Sequence, residues 1–183
     1  INRAIGFISI IILARILSPD DYGIIAIAQI AISFLQILSF DGAFAYLIRK
    51  KEVSSRDLNT AWTIRIILIT TVSIILFFSK DIIAVFFHDE RLIEILKIMS
   101  VGFFITAFQN IGDVLYEKAM NFKRILTFGF CVKISGFTVT TSLAFYLQNY
   151  WALVYGVVVM QFVSTISSYY FFEYRPKLSL SRI

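Results

Sequence analysis

Residues 14–52, ARILSPDDYGIIAIAQIAISFLQILSFDGAFAYLIRKKE, read as the end of one apolar helix, a sharp turn, a second apolar helix and a basic cluster. Ser18 is a favourable N-cap residue, Pro19 suits the first helical position, and Asp21 completes a capping box. One helix therefore ends and another begins within a few residues, as in a membrane hairpin. The basic residues 49–51 that follow are typical of a cytoplasmic loop.

The composition is that of a helical membrane protein. The chain has 183 residues, of which 58% are hydrophobic and 16% charged, whereas soluble domains carry about 25% charged residues. The apolar residues form long continuous blocks, and a helix of about 20 such residues spans a bilayer. The net charge of +5 fits basic loops beside anionic lipid, so we expect membrane lipids, and no nucleic acid, among the partners.

The apolar blocks predict an all-α polytopic membrane protein whose single lobe holds six transmembrane helices. The predicted spans are residues 1–17, 22–48, 58–78, 92–116, 125–147 and 151–172. The second is long enough to bend near Asp41. Ser54 and Asp57 form another capping box before the third helix, and a short amphipathic stretch at 81–88 follows it.

The basic residues also predict an orientation. Ten of them fall in the loops and tail on one side of the six predicted spans, and two, Lys80 and Arg91, fall on the other side. Because Lys and Arg accumulate in cytoplasmic loops, both termini are predicted to be cytoplasmic. The chain begins at Ile1 with a first apolar block of 17 residues, so we expect a fragment whose first helix is clipped.

Polar and charged residues inside the predicted spans are the functional candidates, because polar groups are costly in hydrocarbon. Two interpretations stay open for the polar stripes: hydrogen bonding between helices, or the lining of a water-filled cavity. The predicted cavity-lining residues are Gln29, Gln36, Asp41, Gln109, Asp113 and Gln161. Among the cations, Arg65 and Lys133 lie deep in their helices, and both a functional role and snorkelling to the interface stay open for them. For Arg15, near the end of its helix, snorkelling or pairing with Asp20 or Asp21 is expected.

No sequence pattern indicates catalysis. The chain shows no P-loop, no glycine-rich dinucleotide motif and no paired Cys or His metal ligands. His88, the only histidine, lies in a predicted outer loop, from which no convincing Ser-His-Asp set can be assembled. Cys131 is the only cysteine, so no intrachain disulfide can form. We therefore expect no enzyme activity, metal or cofactor.

Several stretches carry a resemblance to a known family. They are ARILSPDDYG (14–23), SFDGAFAYLIRKKEVSSRDLNTAW (39–62), FFHDERLIEILKIMS (86–100), DVLYEKAMNFKR (113–124), NYWALVYG (149–156) and YRPKLSLSR (174–182). Together they resemble the bacterial oligosaccharide and polysaccharide flippases, which export O-antigen, capsule and teichuronic-type repeat units. These belong to the multidrug/oligosaccharidyl-lipid/polysaccharide exporter superfamily. The resemblance extends over nearly the whole chain.

The resemblance implies a transporter of twelve to fourteen helices in two lobes, of which this chain forms the N-terminal lobe and lacks the second. It implies alternating access in the bacterial cytoplasmic membrane, with a polyprenyl-pyrophosphate-linked oligosaccharide as substrate and other polysaccharide-assembly membrane proteins as partners. A pyrophosphate in a low-dielectric cavity needs cationic groups. The predicted substrate-binding residues are therefore Arg65, Lys133 and Arg15.

Three other functions remain open. A cation-coupled drug or metabolite exporter of the same superfamily would need acidic residues in the membrane, and Asp41 and Asp113 are the candidates. A membrane-embedded polysaccharide polymerase or ligase would need a large outer loop or a catalytic cluster. A membrane scaffold would need neither. The deep residues are basic, which favours an anionic substrate and hence the flippase.

Overall fold

The computed structural model describes residues 9, 11–38 and 42–179 of the chain. The regular structure of these residues is α-helical, which confirms the all-α part of the predicted fold class for this part of the chain. The helices are α1 (Pro19–Leu38), α2 (Gly42–Arg49), α3 (Ser55–Phe87), α4 (Arg91–Thr106), α5 (Asp113–Lys118), α6 (Phe122–Leu147) and α7 (Trp151–Phe171).

Three of these helices are candidate membrane spans. By length and composition, α3, α6 and α7 are apolar enough to cross a bilayer, which takes about 20 residues. The predicted count of six spans, the single-lobe boundary and the two-lobed arrangement remain predictions.

Both predicted capping boxes are present. The Ser18 hydroxyl donates to Asp21 Oδ2 at 2.7 Å, and the Asp21 backbone N–H donates to Ser18 Oγ at 3.2 Å. Ser54 and Asp57 form the same reciprocal pair before α3. The helices begin directly after these N-caps, so α1 and α3 each start three residues before their predicted starts at 22 and 58.

The predicted end of the third helix at residue 78 is wrong. Helix α3 continues to Phe87 and includes the stretch predicted as separate. Neither Gly nor Pro interrupts it, and the Lys80 Nζ–Asp81 Oδ2 ion pair of 2.8 Å offsets the charges that marked the predicted boundary. It ends where His88 adopts a left-handed conformation with φ 55°. At 1.5 Å per residue its 33 residues extend about 50 Å, more than a hydrocarbon core of about 30 Å.

The predicted continuous helix 92–116 is also wrong. It is divided into α4 and α5, and residues 107–112 between them are not helical. Asn110 lies buried at this break, where its Oδ1 accepts from Gly112 N at 2.8 Å and its Nδ2 donates to Tyr174 O at 2.6 Å. The Asn110 backbone N–H donates to Ser168 Oγ at 3.0 Å. These bonds replace intrahelical ones, which explains why the helix stops here.

The other four predicted helices agree with the structure to different extents. Nine residues of the predicted helix 1–17 lie outside the described residues. The helical residues described there are 9 and 11–13, so the predicted end of this helix is four residues too late. The described parts of predicted helix 22–48 form α1 and α2, while Asp41 and the predicted bend lie outside them. Helices α6 and α7 match predicted spans 125–147 and 151–172 to within three residues at every end.

Helix α4 is the centre of the described bundle. Leu92, Ile95 and Leu96 of α4 are fully buried, and they share a cluster with Leu76 of α3 and Val154 of α7. Inside a bilayer, close packing rather than water exclusion holds helices together. The stability of the bundle is therefore expected to depend on how closely the helix surfaces fit together. This packing also fixes the positions of the polar residues at the candidate site.

Candidate functional site

Three of the predicted site residues lie together at the break after α4. Arg65 Nη2 of α3 donates to Gln109 Oε1 at 3.3 Å, and the Trp62 indole N–H donates to the Gln109 backbone carbonyl at 3.1 Å. Arg65 is also close enough to Asp113, at the start of α5, for their charges to attract each other. We call Trp62, Arg65, Gln109 and Asp113 the Arg65 cluster.

The Arg65 cluster places a cation well inside a candidate span. Arg65 lies ten residues into α3, about 15 Å from its start, and is half-buried. Its guanidinium has five N–H donors in a rigid fork, and only Gln109 accepts a hydrogen bond from them within the described residues. The remaining donors are suited to an anion, which would have to compete with Asp113 for the positive charge.

A second polar surface runs along α1. Gln29 and Gln36 are both exposed, and Gln29 lines a cavity of about 300 Å³ together with Tyr22 and Thr140 of α6. The Tyr22 hydroxyl is shielded from solvent and has no hydrogen-bond partner in the described part of the chain. Polar groups of α1 and α6 thus border one open space whose other lining residues are mostly apolar, and the cavity-lining roles of Gln29 and Gln36 remain predictions.

The three predicted substrate-binding cations do not converge. Lys133 is exposed on α6, eleven residues from the start of that helix, and makes no ion pair within the described ranges. Arg15 is exposed in the turn before α1, at the end of the bundle opposite the start of α3. The expected pairing of Arg15 with Asp20 or Asp21 is wrong, since Asp20 pairs with Arg91 and Asp21 binds Ser18 and Tyr150.

Two further predicted cavity residues need separate mention. Gln161 of α7 is half-buried against Gly102 of α4, and its Oε1 lacks a hydrogen-bond partner among the residues described. Asp41 lies outside the described residues. Their cavity-lining roles remain predictions.

An ionic network joins three helices at the end of the bundle where α1 and α4 begin. Arg91 Nη1 lies 2.6 Å from Asp20 Oδ2, and Arg91 Nη2 lies 2.6 Å from Asp89 Oδ2. Hydrogen bonds from Arg91 lower the pKa of both carboxyls, and the two carboxylates raise the pKa of Arg91. Asp21 Oδ1 accepts from the Tyr150 backbone N–H at 2.9 Å, which adds α7 to the network.

The opposite end of the bundle is rich in basic residues. Lys50 Nζ lies 2.8 Å from Asp57 Oδ1, and Lys118 Nζ donates to backbone carbonyls at the end of α2, including that of Lys51 at 3.3 Å. Arg124 Nη1 lies 2.9 Å from Glu173 Oε1, and this hydrogen bond lowers the pKa of Glu173. The cations at this end stabilise helix termini and loops. That this end is the cytoplasmic side stays a prediction.

Sequence reasoning missed two residues that shape the site. Trp62 was not among the predicted site residues, but it donates to the Gln109 carbonyl one turn before Arg65. Asn110 was not singled out, although it makes the break that brings Asp113 near Arg65. The available signal for the break was a Gln-Asn pair followed by Gly112 inside an apolar block.

A family profile described as "Polysaccharide biosynthesis protein" matches residues 12–183. The chain belongs to this polysaccharide biosynthesis family. The resemblance found in the sequence is thereby confirmed at family level.

Named relatives agree with the family. The lipopolysaccharide biosynthesis protein WzxC of Escherichia coli is 25% identical over 179 residues, which are 97% of this chain and 36% of that protein. The succinoglycan biosynthesis transport protein ExoT of Rhizobium meliloti is 24% identical over 182 residues, 97% of this chain and 36% of that protein. A membrane protein from the cps region of Klebsiella pneumoniae is 24% identical over 165 residues, 88% of this chain and 33% of that protein.

The chain spans about a third of the length of these relatives. No solved structure gives a significant match. The three long apolar helices and the membrane-protein relative together support a membrane location for the family member described here.

Proposed function

We propose that the protein containing this chain transports polyprenyl-pyrophosphate-linked oligosaccharide units across the bacterial cytoplasmic membrane for surface polysaccharide synthesis. In this proposal the chain is one of two lobes, and each lobe supplies half of a central cavity. The protein moves its substrate without chemical conversion, by alternating access. The lobe's polar surfaces on α1 and α6, with Gln29 and Lys133 exposed, supply part of the cavity wall.

The observation that carries the proposal is the Arg65 cluster. A half-buried guanidinium about 15 Å into a candidate span is costly unless it is used, and intramembrane ionisable residues are functional by default. Arg65 keeps donors for a phosphate group, which bidentate guanidinium contacts recognise well. Asp113 is near enough for its carboxylate to attract the guanidinium. Relatives named for lipopolysaccharide and succinoglycan synthesis support this substrate class.

The proposed orientation places both ends of the chain in the cytoplasm. The end that holds Lys50, Lys118 and Arg124 also holds Arg175 and Lys177. An excess of Lys and Arg in short loops supports a cytoplasmic side. The pyrophosphate of a lipid-linked substrate assembled in the cytoplasm would then enter from the side on which the Arg65 cluster lies.

The experiment uses Arg65→Ala and Lys133→Ala in the intact protein, expressed in its native cells. We expect each variant to reduce surface polysaccharide at least tenfold, about 1.4 kcal/mol or more, with membrane abundance of the protein unchanged. Arg65→Lys keeps the positive charge but loses the bidentate N–H donors of the guanidinium, so its export should lie between that of Arg65→Ala and that of the wild type. Lipid-linked oligosaccharide should accumulate in the cells that fail to export.

Lys97→Ala is the matched control, because Lys97 is an exposed cation that pairs with Glu94 away from the Arg65 cluster. Its export should equal that of the wild type. Normal export by both the Arg65 and the Lys133 variants would refute the assignment of these residues. Unchanged surface polysaccharide after deletion of the whole gene would refute the function itself.

The cation-coupled exporter is less well supported. Its candidate acidic residues are Asp113 and Asp41, and Asp41 lies outside the described residues. The deep cation and the named relatives both favour an anionic, sugar-bearing substrate.

A further inference from the structure

A surface cavity of about 480 Å³ lies where α6 begins and α7 ends, apart from the Arg65 cluster. Lys123 and Arg124 of α6 line it together with Tyr170 and Phe171 of α7. Two adjacent cations and two aromatic rings thus surround one open space at the basic end of the bundle. The cavity contains none of the predicted substrate-binding residues.

The charges in this cavity are only partly compensated. Arg124 is bonded to Glu173 and to the Tyr116 hydroxyl. Lys123, by contrast, has no carboxylate partner within residues 9, 11–38 and 42–179. Both cations stand in the first turn of α6, where the helix dipole disfavours positive charge. A bound anion would offset this unfavourable arrangement.

The position of the cavity indicates what kind of anion would bind there. Helices α6 and α7 are both candidate spans, and the cavity lies at their shared end, the depth at which aromatic residues meet lipid headgroups. The Tyr170 side chain is 82% exposed at its rim. Below it, at helical spacing on α7, Ile166 and Phe162 continue an exposed apolar stripe. A ligand here can be anionic at its head and apolar in its tail.

We propose that this cavity binds the headgroup phosphate of an anionic phospholipid, with Lys123 as the cation that has no carboxylate partner among the described residues. Arg124 contributes the guanidinium edge that Glu173 leaves free, and the acyl chain lies along Ile166 and Phe162. The lipid stabilises the α6–α7 pair at the membrane surface. It is a fixed component of the protein's surroundings and is not transported.

The test is native mass spectrometry of the intact protein in neutral detergent, titrated with phosphatidylglycerol or with phosphatidylcholine of the same acyl chains. We expect phosphatidylglycerol to bind at lower concentration than phosphatidylcholine. Lys123→Gln should raise the concentration for half-occupancy by phosphatidylglycerol about fivefold, and Lys123→Arg should restore it. Lys51→Gln removes an equal charge at the same end of the bundle but outside the cavity, and it should change nothing.

Three outcomes would overturn the proposal. Equal loss of binding in Lys51→Gln and Lys123→Gln would indicate diffuse attraction to the basic end instead of a site. Equal binding of the two lipids would show that the headgroup charge is not recognised. Binding of inorganic phosphate at the same or a lower concentration than phosphatidylglycerol would show that the cavity holds a soluble anion. Because transport is not measured, these outcomes are independent of the proposed function.

Discussion

Arg65 on α3 and Gln109 after α4 are 44 positions apart in the chain, yet the Arg65 guanidinium donates to the Gln109 side-chain oxygen at 3.3 Å. Trp62, one turn earlier on the same face of α3, bonds the backbone carbonyl of Gln109. Helix α3 therefore donates hydrogen bonds to both the backbone carbonyl and the side-chain oxygen of Gln109 at the helix break. Gln109 orients the cation on which the proposed transport depends.

Gln109→Ala should weaken export about fivefold, which corresponds to the loss of one hydrogen bond to a charged group. The effect should be smaller than that of Arg65→Ala, because the cation itself remains. Gln109→Glu should lower export further than Gln109→Ala, since a second carboxylate beside Arg65 would compete with an anionic substrate. Export assays normalised to membrane abundance measure this order, and higher export by Gln109→Glu would contradict it.

Asn110→Leu should destabilise the protein by about 2–3 kcal/mol. The substitution leaves the Gly112 N–H and the Tyr174 carbonyl without their buried partner. Reversible unfolding in mixed micelles with a denaturing detergent measures the loss. Asn121→Leu is the control, because Asn121 is exposed and its side chain caps no helix, so its unfolding free energy should stay within about 0.5 kcal/mol of the wild type.

Gly156→Ala should force α6 and α7 apart. A Cβ atom at Gly156 would overlap the Thr140 hydroxyl and lie 3.3 Å from the Thr140 Cα, which belongs to the backbone of α6 and cannot rotate away. We expect the free energy of unfolding to fall by about 1–3 kcal/mol in the same assay.

Gly23→Ala is the matched control in an open position. Nothing lies within 4 Å of the added methyl group, so the free energy of unfolding should rise by about 0.5–1 kcal/mol. Equal effects of the two substitutions would contradict the packing described for α6 and α7.

The Arg91 network should make stability depend on pH in the acid range. The folded-state pKa values of Asp20 and Asp89 are below the ordinary aspartate value of 3.8 because Arg91 hydrogen-bonds to both carboxylates. Carboxyls with a lowered pKa contribute stability above the unfolded-state pKa, and that contribution disappears as the pH falls through the folded-state value. The wild type should thus be more stable than Arg91→Gln at neutral pH, and the difference should shrink below about pH 4.

Unfolding midpoints measured from pH 7 to pH 3 provide this comparison. Lys97→Gln, which removes an exposed cation outside the network, should lie close to the wild type throughout. A difference between wild type and Arg91→Gln that stayed constant with pH would show that Arg91 acts through packing, for instance on the Tyr150 ring at 5.9 Å.

Local chemistry explains which structural predictions succeeded. The Ser18–Asp21 and Ser54–Asp57 boxes each join residues three positions apart, so the sequence contains all that they need. The α6–α7 hairpin likewise follows from two apolar blocks and the polar residues 148–150 between them. The charges at Lys80 and Asp81 misled the prediction for α3, because adjacent opposite charges can pair with each other inside a continuing helix.

The sequence by itself determined the membrane class, the family and the capping boxes before α1 and α3, since composition, motif and capping act within a few residues. Only the tertiary structure decided that Asn110 breaks a helix, because its partners Ser168 and Tyr174 are 58 and 64 positions away. The tertiary structure also decided the surroundings of Arg65, Lys133 and Arg15, which the sequence had predicted together as substrate-binding residues. Folding brings Arg65 to Gln109 and Asp113 and leaves Arg15 at the other end of the bundle, because long-range packing sets which polar groups meet in a medium without water.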